Sequence, residues 1–401
     1  DWYLPRSEWP AGIEGGLGLY PTPEPWASRI AGMLATLFRT RPSFEWERKL
    51  GAAGIPVAAH RLTSEWLQAE HPIRSGLLIE GRHPEFGSMR QIGPVAWLAE
   101  TAEFIAGPAD IAAPDGDRAA ILAETAERRP IGARPAAEGR PWFDGLRVLD
   151  LTNVIAGPTV GALLARFGAS VVKLDPTLPD FDPWTTIVFG MQGNVGKRSL
   201  LADLKTPEGH QVLRRLLCWA DLVTANGSER QLAALGLTPA ELAAVNPRLL
   251  LCRIDAFGGP RPGPRGEDPG YDDLIQASTG IMARFGGSLE TPEEHAHVGT
   301  IDVSCGYAGA LAAAMGLLHR QRTGKTTVAR ASLAAAGQLI QAPFMYDFPG
   351  RPPHDEPSGP QARGDGPLHR CYETADGWFF LAATSADWPE IARVLRIAAP
   401  D

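Results

Sequence analysis

The chain has 401 residues, 44% of them hydrophobic and 21% charged, with a formal net charge of -8. That length supports two or three domains with a sizeable core, and the mild acidity with no basic face argues against nucleic acid as a partner. Cys218, Cys252, Cys305 and Cys371 form no Cys-x-x-Cys pair, so neither a zinc site nor a disulfide framework is indicated and a reducing cytoplasm is the expected compartment.

Residues 1–20 are rich in Pro, Gly and aromatics without a clear period, and no signal peptide follows Asp1. Trp26, Ile30, Met33, Leu34, Leu37 and Phe38 then recur at helical spacing, which predicts an amphipathic helix. Ser43 is placed to cap a second helix carrying Trp46 and Leu50, ended by Gly54-Ile55-Pro56. A short helix over 64–70, extended segments at 76–79 and 89–95, and a helix near 117–127 complete this first part. Residues 128–141 are rich in Pro, Gly and Arg and read as a linker.

Beyond the linker, candidate strands at 147–151, 170–174, 198–201, 221–224 and 248–254 alternate with helical stretches at 160–167, 207–219 and 238–245. That alternation predicts an α/β fold with a doubly wound, mainly parallel sheet covered on both faces. Ligands of such sheets bind outside the carboxyl ends of the strands, here the loops 152–158 and 255–270. No complete Gly-x-Gly-x-x-Gly or Walker A pattern is present, so neither nicotinamide nor P-loop chemistry is supported. The longest apolar run, 303–318, falls short of the ~20 residues of a membrane span and reads as a core helix, so no membrane partner is expected.

Asp302 stands where a Gly-punctuated loop meets that helix. Read locally, it is an N-cap or first-turn carboxylate, which the helix dipole would keep ionised. A structural cap and a nucleophile are both consistent with this pattern. Ala156-Gly157-Pro158 opens a helix after the first strand of the sheet, which suits either a plain turn or the approach of an anionic ligand to backbone N–H groups. Lys197, Arg198 and Lys205 are the basic candidates for phosphate contacts.

From about 143 to 333 the chain resembles the family III CoA-transferases, also called the CaiB/BaiF family. The resemblance rests on ordered segments: Phe143-Asp144-Gly145 through Asp150, Ala156-Gly157-Pro158, Lys173-Leu174-Asp175, Asn194-Val195-Gly196-Lys197-Arg198-Ser199, Asp203-Leu204-Lys205, Asn246-Pro247-Arg248, Gly270-Tyr271-Asp272, Asp302 with Gly306, and Arg322-Thr323-Gly324-Lys325. It implies a Rossmann-like large domain joined to a smaller α+β domain. It also implies a CoA-transferase that moves CoA between an acyl-CoA and a carboxylic acid, its two partners, with coenzyme A as substrate and no permanently bound cofactor or metal. By the same resemblance Asp302 is the nucleophile, and Ile155, Ala156, Lys197, Arg198, Lys205, Asn226, Tyr271 and Asp272 line the CoA cleft.

Residues 1–126 resemble the end of such a subunit, including Ala53-Gly54-Ile55-Pro56-Val57, whereas 143 onward resembles its beginning and 368–378 the start of its smaller domain. The expected division is therefore 1–126 as the C-terminal part of one copy, 127–142 as linker, 143–345 as the large domain of a second copy and 346–401 as the start of its small domain. A piece of a tandem two-copy protein is expected, with a circular permutant as the alternative. Subunits of this family interlace as dimers, so a homodimer or an intramolecular pseudo-dimer is expected. Two features depart from the family pattern: 225–230 reads Ala-Asn-Gly-Ser-Glu-Arg and lacks an aromatic near the adenine, and Pro176 stands where an arginine is usual. A noncatalytic scaffold copy is one alternative they leave open. An acyl-CoA racemase, isomerase or linked lyase is the other, although Tyr271 replaces the histidine that racemases use and is a poor base near neutral pH.

Overall fold

The computed structural model describes residues 26–99, 110–126, 139–177, 190–295, 299–352 and 358–397. Its centre is a seven-stranded sheet in the order β3-β9-β8-β7-β4-β5-β6. These strands are β3 (Ala96–Leu98), β4 (Arg147–Asp150), β5 (Ser170–Asp175), β6 (Arg198–Leu201), β7 (Leu222–Ala225), β8 (Leu250–Asp255) and β9 (Val328–Ser332). All neighbours run parallel except β3, which pairs antiparallel with β9. The chain winds outward from β4 to β6 on one side and from β7 to β9 on the other. The two windings part between β4 and β7, the point where a doubly wound sheet opens a crevice.

The two-residue period of the strands sends alternate side chains to opposite faces. Val148, Leu222, Leu250 and Cys252 enter one core with the helices Ala156–Arg166 and Thr300–Thr323, and Leu149, Val223 and Leu251 enter a second core under the helices Pro207–Trp219 and Pro239–Val245. Burial on both faces explains why these strands read as near-continuous apolar runs. The helix Thr300–Thr323 is apolar and long enough to cross a bilayer by composition, but its Ala/Gly stripe packs onto the sheet. Gly309 permits this approach: a Cβ there would lie 2.6 Å from Ile254 Cδ1 and 2.7 Å from Val160 Cγ2.

The first part of the chain joins the same core. Trp66, Leu67, Leu77, Leu78, Trp97 and Leu98 are buried with Ile275, Leu333 and Ala336. Trp66 Nε1 donates to Gln338 Oε1 at 3.0 Å, and Gln338 Nε2 donates to the Leu77 carbonyl at 2.9 Å. The hairpin β1 (Leu78–His83) and β2 (Gly87–Ile92) gains a third strand from β10 (Tyr346–Asp347). A separate small sheet holds β11 (Gly364–Gly366), β12 (His369–Glu373) and β13 (Trp378–Ala382).

Several local expectations are corrected. Ser43 is the first residue of its helix rather than the cap: Pro42 precedes it in extended conformation and no side chain caps the turn. The helix Trp26–Phe38 forms, but Ile30, Met33, Leu34, Leu37 and Phe38 are exposed, so its apolar stripe meets no core among the described residues. The expected short helix over 64–70 is two, Thr63–Gln68 and Glu70–Ser75, broken at the extended Ala69. Most of the linker lies outside the described residues.

Candidate active site

A cleft of about 740 Å³ opens at the carboxyl ends of β4, β5, β7 and β8, where the two windings part. Its wall after β4 is the loop Leu151, Thr152, Asn153, Val154, leading to Ala156. Val154 adopts φ 65, a left-handed conformation that is strained for a β-branched residue and is stored most often at functional sites. Asn226, after β7, ties the two sides together. Its Oδ1 accepts from Asn153 N–H at 3.1 Å, and its Nδ2 donates to the Asn153 carbonyl at 3.0 Å. Tyr271 and Gly270 form another wall, and Asp302 lies at the bottom.

Asp302 is the third residue of the helix Thr300–Thr323 and is 7% exposed. The N-cap is Gly299, at φ 60. The cap bond comes from elsewhere: Asp302 N–H donates to Asp272 Oδ2 at 2.9 Å. Asp272 therefore takes the capping role that was one of two local readings of Asp302. This leaves the Asp302 carboxyl facing the cleft, with no hydrogen bond or ion pair to it among the described residues. Burial, then the Asp272 and Asp273 carboxylates, push it well above the ordinary carboxylate range. The expectation that the helix dipole alone keeps it ionised is corrected, because a second carboxylate already occupies the positive end of the helix. Cys305, one turn on, is fully buried and is likewise pushed up, first by burial and then by Asp302.

Ala156, Lys205, Asn226, Tyr271 and Asp302 line the cleft together. Ile155, Lys197, Arg198 and Asp272 do not. Ile155 is the N-cap residue of the helix Ala156–Arg166, where its carbonyl accepts from Thr159 N–H at 2.9 Å. Lys197 is a correction: its side chain is fully buried, 2.5 Å from Asp150 Oδ2 and 2.7 Å from the Pro158 carbonyl. Burial pulls the Lys197 ammonium down against the pull of Asp150, and the two lysines Lys197 and Lys173 outweigh burial to hold Asp150 below its usual value. In this structure the ammonium is the counter-ion of Asp150 and does not reach the cleft lining. Arg198 sits on the exposed edge strand β6, donating to Ser170 Oγ at 3.0 Å and lying 5.6 Å from the Trp219 ring centroid. Lys205 is exposed on the cleft rim. Gly286 and Gly287 lie outside the lining, and Gly287 N–H donates to the Ala283 carbonyl at 2.8 Å.

Residues missed from the sequence also line the cleft. Lys173 bonds Asp175, and Arg253 meets Asp255 at 2.8 Å, Glu267 at 2.9 Å and Glu229 at 3.1 Å. Arg330 joins Asp255 at 2.6 Å. The available signal was a charge at the end of an otherwise buried strand, as in Leu250-Leu251-Cys252-Arg253-Ile254-Asp255, since such charges need partners. No group of three or more His, Cys, Asp or Glu side chains placed to hold a metal occurs among the described residues.

Residues 143–400 match the CoA-transferase family III. The chain belongs to that family. It is 43% identical over 387 residues to the CoA-transferase/lyase DddD of Marinomonas sp. (strain MWYL1), an alignment covering 95% of this chain and 46% of that protein. It is 32% identical over 277 residues to a succinate–glutarate CoA-transferase of Agrobacterium fabrum (strain C58 / ATCC 33970), covering 65% and 68%. Among solved structures, a CAIB/BAIF family protein from Brucella suis superposes with TM-score 0.55 at 28% identity, covering 65% of this chain and 71% of that one. The mainly parallel sheet is therefore the fold of family III, and this chain spans about half the length of the DddD relative that matches almost all of it.

Proposed function

We propose that this protein transfers CoA between an acyl-CoA and a carboxylic acid, with Asp302 as the covalent nucleophile. The observation that carries the reading is the Asp302 carboxyl at the bottom of the crevice, at the end of a helix whose N-terminus is already capped by a different acid. With no cation beside it among the described residues, Asp302 is a poor structural element and a usable nucleophile.

The steps balance without a cofactor. An ionised Asp302 Oδ attacks the thioester carbonyl, the C–S bond breaks and CoA leaves as thiolate, giving a mixed anhydride. The thiolate then attacks the aspartyl carbonyl carbon and expels the donor carboxylate, leaving an aspartyl-CoA thioester. The acceptor carboxylate attacks that thioester and releases thiolate. The thiolate attacks the acceptor carbonyl, forming the new acyl-CoA and restoring the Asp302 carboxylate. Several easier steps replace one difficult transfer. Ala156 and its neighbours at the helix N-terminus supply the backbone positions for developing oxyanions. Lys205, Asn226 and Tyr271 would contact the coenzyme along the cleft.

The test is to incubate the protein, in its full reading frame, with acetyl-, propionyl- and succinyl-CoA and examine the peptide containing 301–306 by mass spectrometry. A hydroxylamine-sensitive adduct in the wild type, and none in Asp302→Asn, is the expected result. Full acyl transfer by Asp302→Asn would remove the proposal. The relative whose name pairs transfer with a lyase makes an eliminating step after CoA transfer an extension of the same reading. A second reading, a noncatalytic copy that scaffolds an active one, draws on the cleft's cations: Lys173 and Arg253 are both paired with acids, and Lys197 is buried. It predicts no adduct and no CoA binding here. The division into 1–126, 127–142, 143–345 and 346–401, the tandem origin, the homodimer or pseudo-dimer and the cytoplasmic location belong to the same proposal.

A further inference from the structure

The helix N-terminus that carries Asp302 is held by a buried polar chain for which coenzyme binding gives no reason. Asp272 is the first residue of the helix Asp272–Thr279 and is 9% exposed. Its Oδ2 accepts from Asp302 N–H at 2.9 Å, and the Ile301 N–H bonds the same carboxylate. Its Oδ1 accepts from Gln276 Nε2 at 2.6 Å. Gln276 is 1% exposed, and its Oε1 accepts from His295 N–H at 2.8 Å, in the segment that leads into the long helix. Two helices and the intervening loop are thus locked around one carboxylate beneath the cleft, while Asp272 itself does not reach the lining.

We propose that Asp272, supported by Gln276, is a positioning residue: it fixes the first turn of the long helix so that the Asp302 carboxyl points into the cleft, and its negative charge sets the pH at which that carboxyl becomes reactive. This rests on the reading of Asp302 as nucleophile. The arrangement has a clear division of labour. Two of the orphan N–H groups at the helix N-terminus, those of Ile301 and Asp302, go to Asp272, so the Asp302 side chain is not drawn back onto its own helix to satisfy them. Among the described residues, the charged or titratable groups that face Asp302 are Asp272 and Asp273 from the helix Asp272–Thr279, Tyr271 at its start, and Cys305 on Asp302's own helix. The first two are acids and raise the cost of a second negative charge there. A neutral residue at 272 therefore lets Asp302 ionise at lower pH.

Three variants of the full-length protein test this. Asp272→Asn keeps an oxygen acceptor for Asp302 N–H but removes the charge. Asp272→Ala removes both, and Gln276→Leu leaves the carboxylate but loosens it. Transfer is followed with whichever of acetyl-, propionyl- or succinyl-CoA forms the adduct, and the carboxyl titration with aspartate labelled at the side-chain carbon, Asp302 being assigned by difference from Asp302→Asn. The expected result for Asp272→Asn is a titration midpoint for Asp302 and an acid limb of kcat that both move to lower pH, with KM changed less than about threefold and kcat at its plateau largely kept. Asp272→Ala lowers kcat by about 100-fold, the scale of a misplaced reacting group, and Gln276→Leu by an intermediate factor. Asp272→Asn with an unmoved titration overturns the proposal, as does Asp272→Ala that is folded and fully active. If the wild type forms no adduct with any donor, the proposed function fails while the titration still decides whether Asp272 controls Asp302.

Discussion

Replacing Lys197 separates the two roles that sequence and structure give it. As a phosphate ligand, Lys197→Met would weaken CoA binding and leave folding intact. In the structure its ammonium is buried with Asp150, whose Oδ1 also accepts from Thr152 N–H at 2.9 Å and from Thr224 Oγ1 at 3.1 Å. Removing the cation strands a buried carboxylate, and breaking one partner of such a pair costs about 3–5 kcal/mol. At about 2–4 °C per kcal/mol for a domain of this size, melting should fall by roughly 10 °C. The double variant Asp150→Asn with Lys197→Met removes both charges and should recover much of that loss. The pair also gives a pH signature. Because the folded Asp150 lies below its ordinary value, its contribution is present above the usual carboxylate range and is lost as pH falls through the folded value. Thermal melts of the wild type and both variants from pH 8 down through and below the usual carboxylate range, with CoA binding by calorimetry on the folded fraction at neutral pH, form the assay. A Lys197→Met protein that melts like the wild type and binds CoA tenfold more weakly would refute the structural assignment.

Asp302→Asn should be more stable than the wild type at pH 7 and equal to it near pH 4. The folded carboxyl lies above its unfolded value, so the wild type is penalised only where the unfolded chain has ionised and the native one resists, and melts at the two pH values check the difference. Trp66→Ala should cost about 3–5 kcal/mol and lower a single unfolding transition, because Trp66 is buried in the core shared by both parts of the chain. Two separated transitions, only one of them shifted, would show that the parts fold independently.

The central strands β4, β5, β7 and β8 were legible because they are buried on both faces, whereas the exposed edge strand β6 was marked only by its place in the alternation. The expected 198–201 strand is the observed β6, and the expected 207–219 helix is observed at Pro207–Trp219, where Thr206 caps and Pro207 opens the first turn. Strand ends elsewhere shifted by a residue or two, as for β7 and β8. The edge strand β3 and its partner β9 were missed, since Ala96-Trp97-Leu98 is too short for a period and Val328-Ala329-Arg330-Ala331-Ser332 reads like the helix that follows it. Asp302 could be found because a motif marks it. The roles of Lys197 and Asp272 could not, because both depend on a partner distant in the chain: Asp150 lies 47 residues from Lys197, and Asp302 lies 30 residues from Asp272. A lone Lys or Asp in a motif carries no sign of whether it faces a ligand or another side chain.

That dependence extends to residues 26–99, which are not among the described lining residues of the cleft yet hold its floor. Arg61 N–H donates to the Ala277 carbonyl at 3.0 Å, and Thr63 Oγ1 reaches the Thr279 carbonyl at 3.3 Å, so this segment grips the C-terminal end of the helix whose first residue is Asp272. Glu47 accepts from Arg61 at 2.9 Å and from Arg265 at 2.9 Å, which joins the segment to the loop after β8 that also supplies Glu267 and Asp268 to the cleft wall. Gln341, on the far side, donates to the same Thr279 carbonyl at 3.1 Å. The helix Asp272–Thr279 is therefore fixed at one end by the first part of the chain and at the other by the N-terminus of the helix that carries Asp302. Order in the first part of the chain is on this account a condition for a correctly aimed Asp302, reached both through Asp272 and its helix and through β3, which packs against the helix Thr300–Thr323.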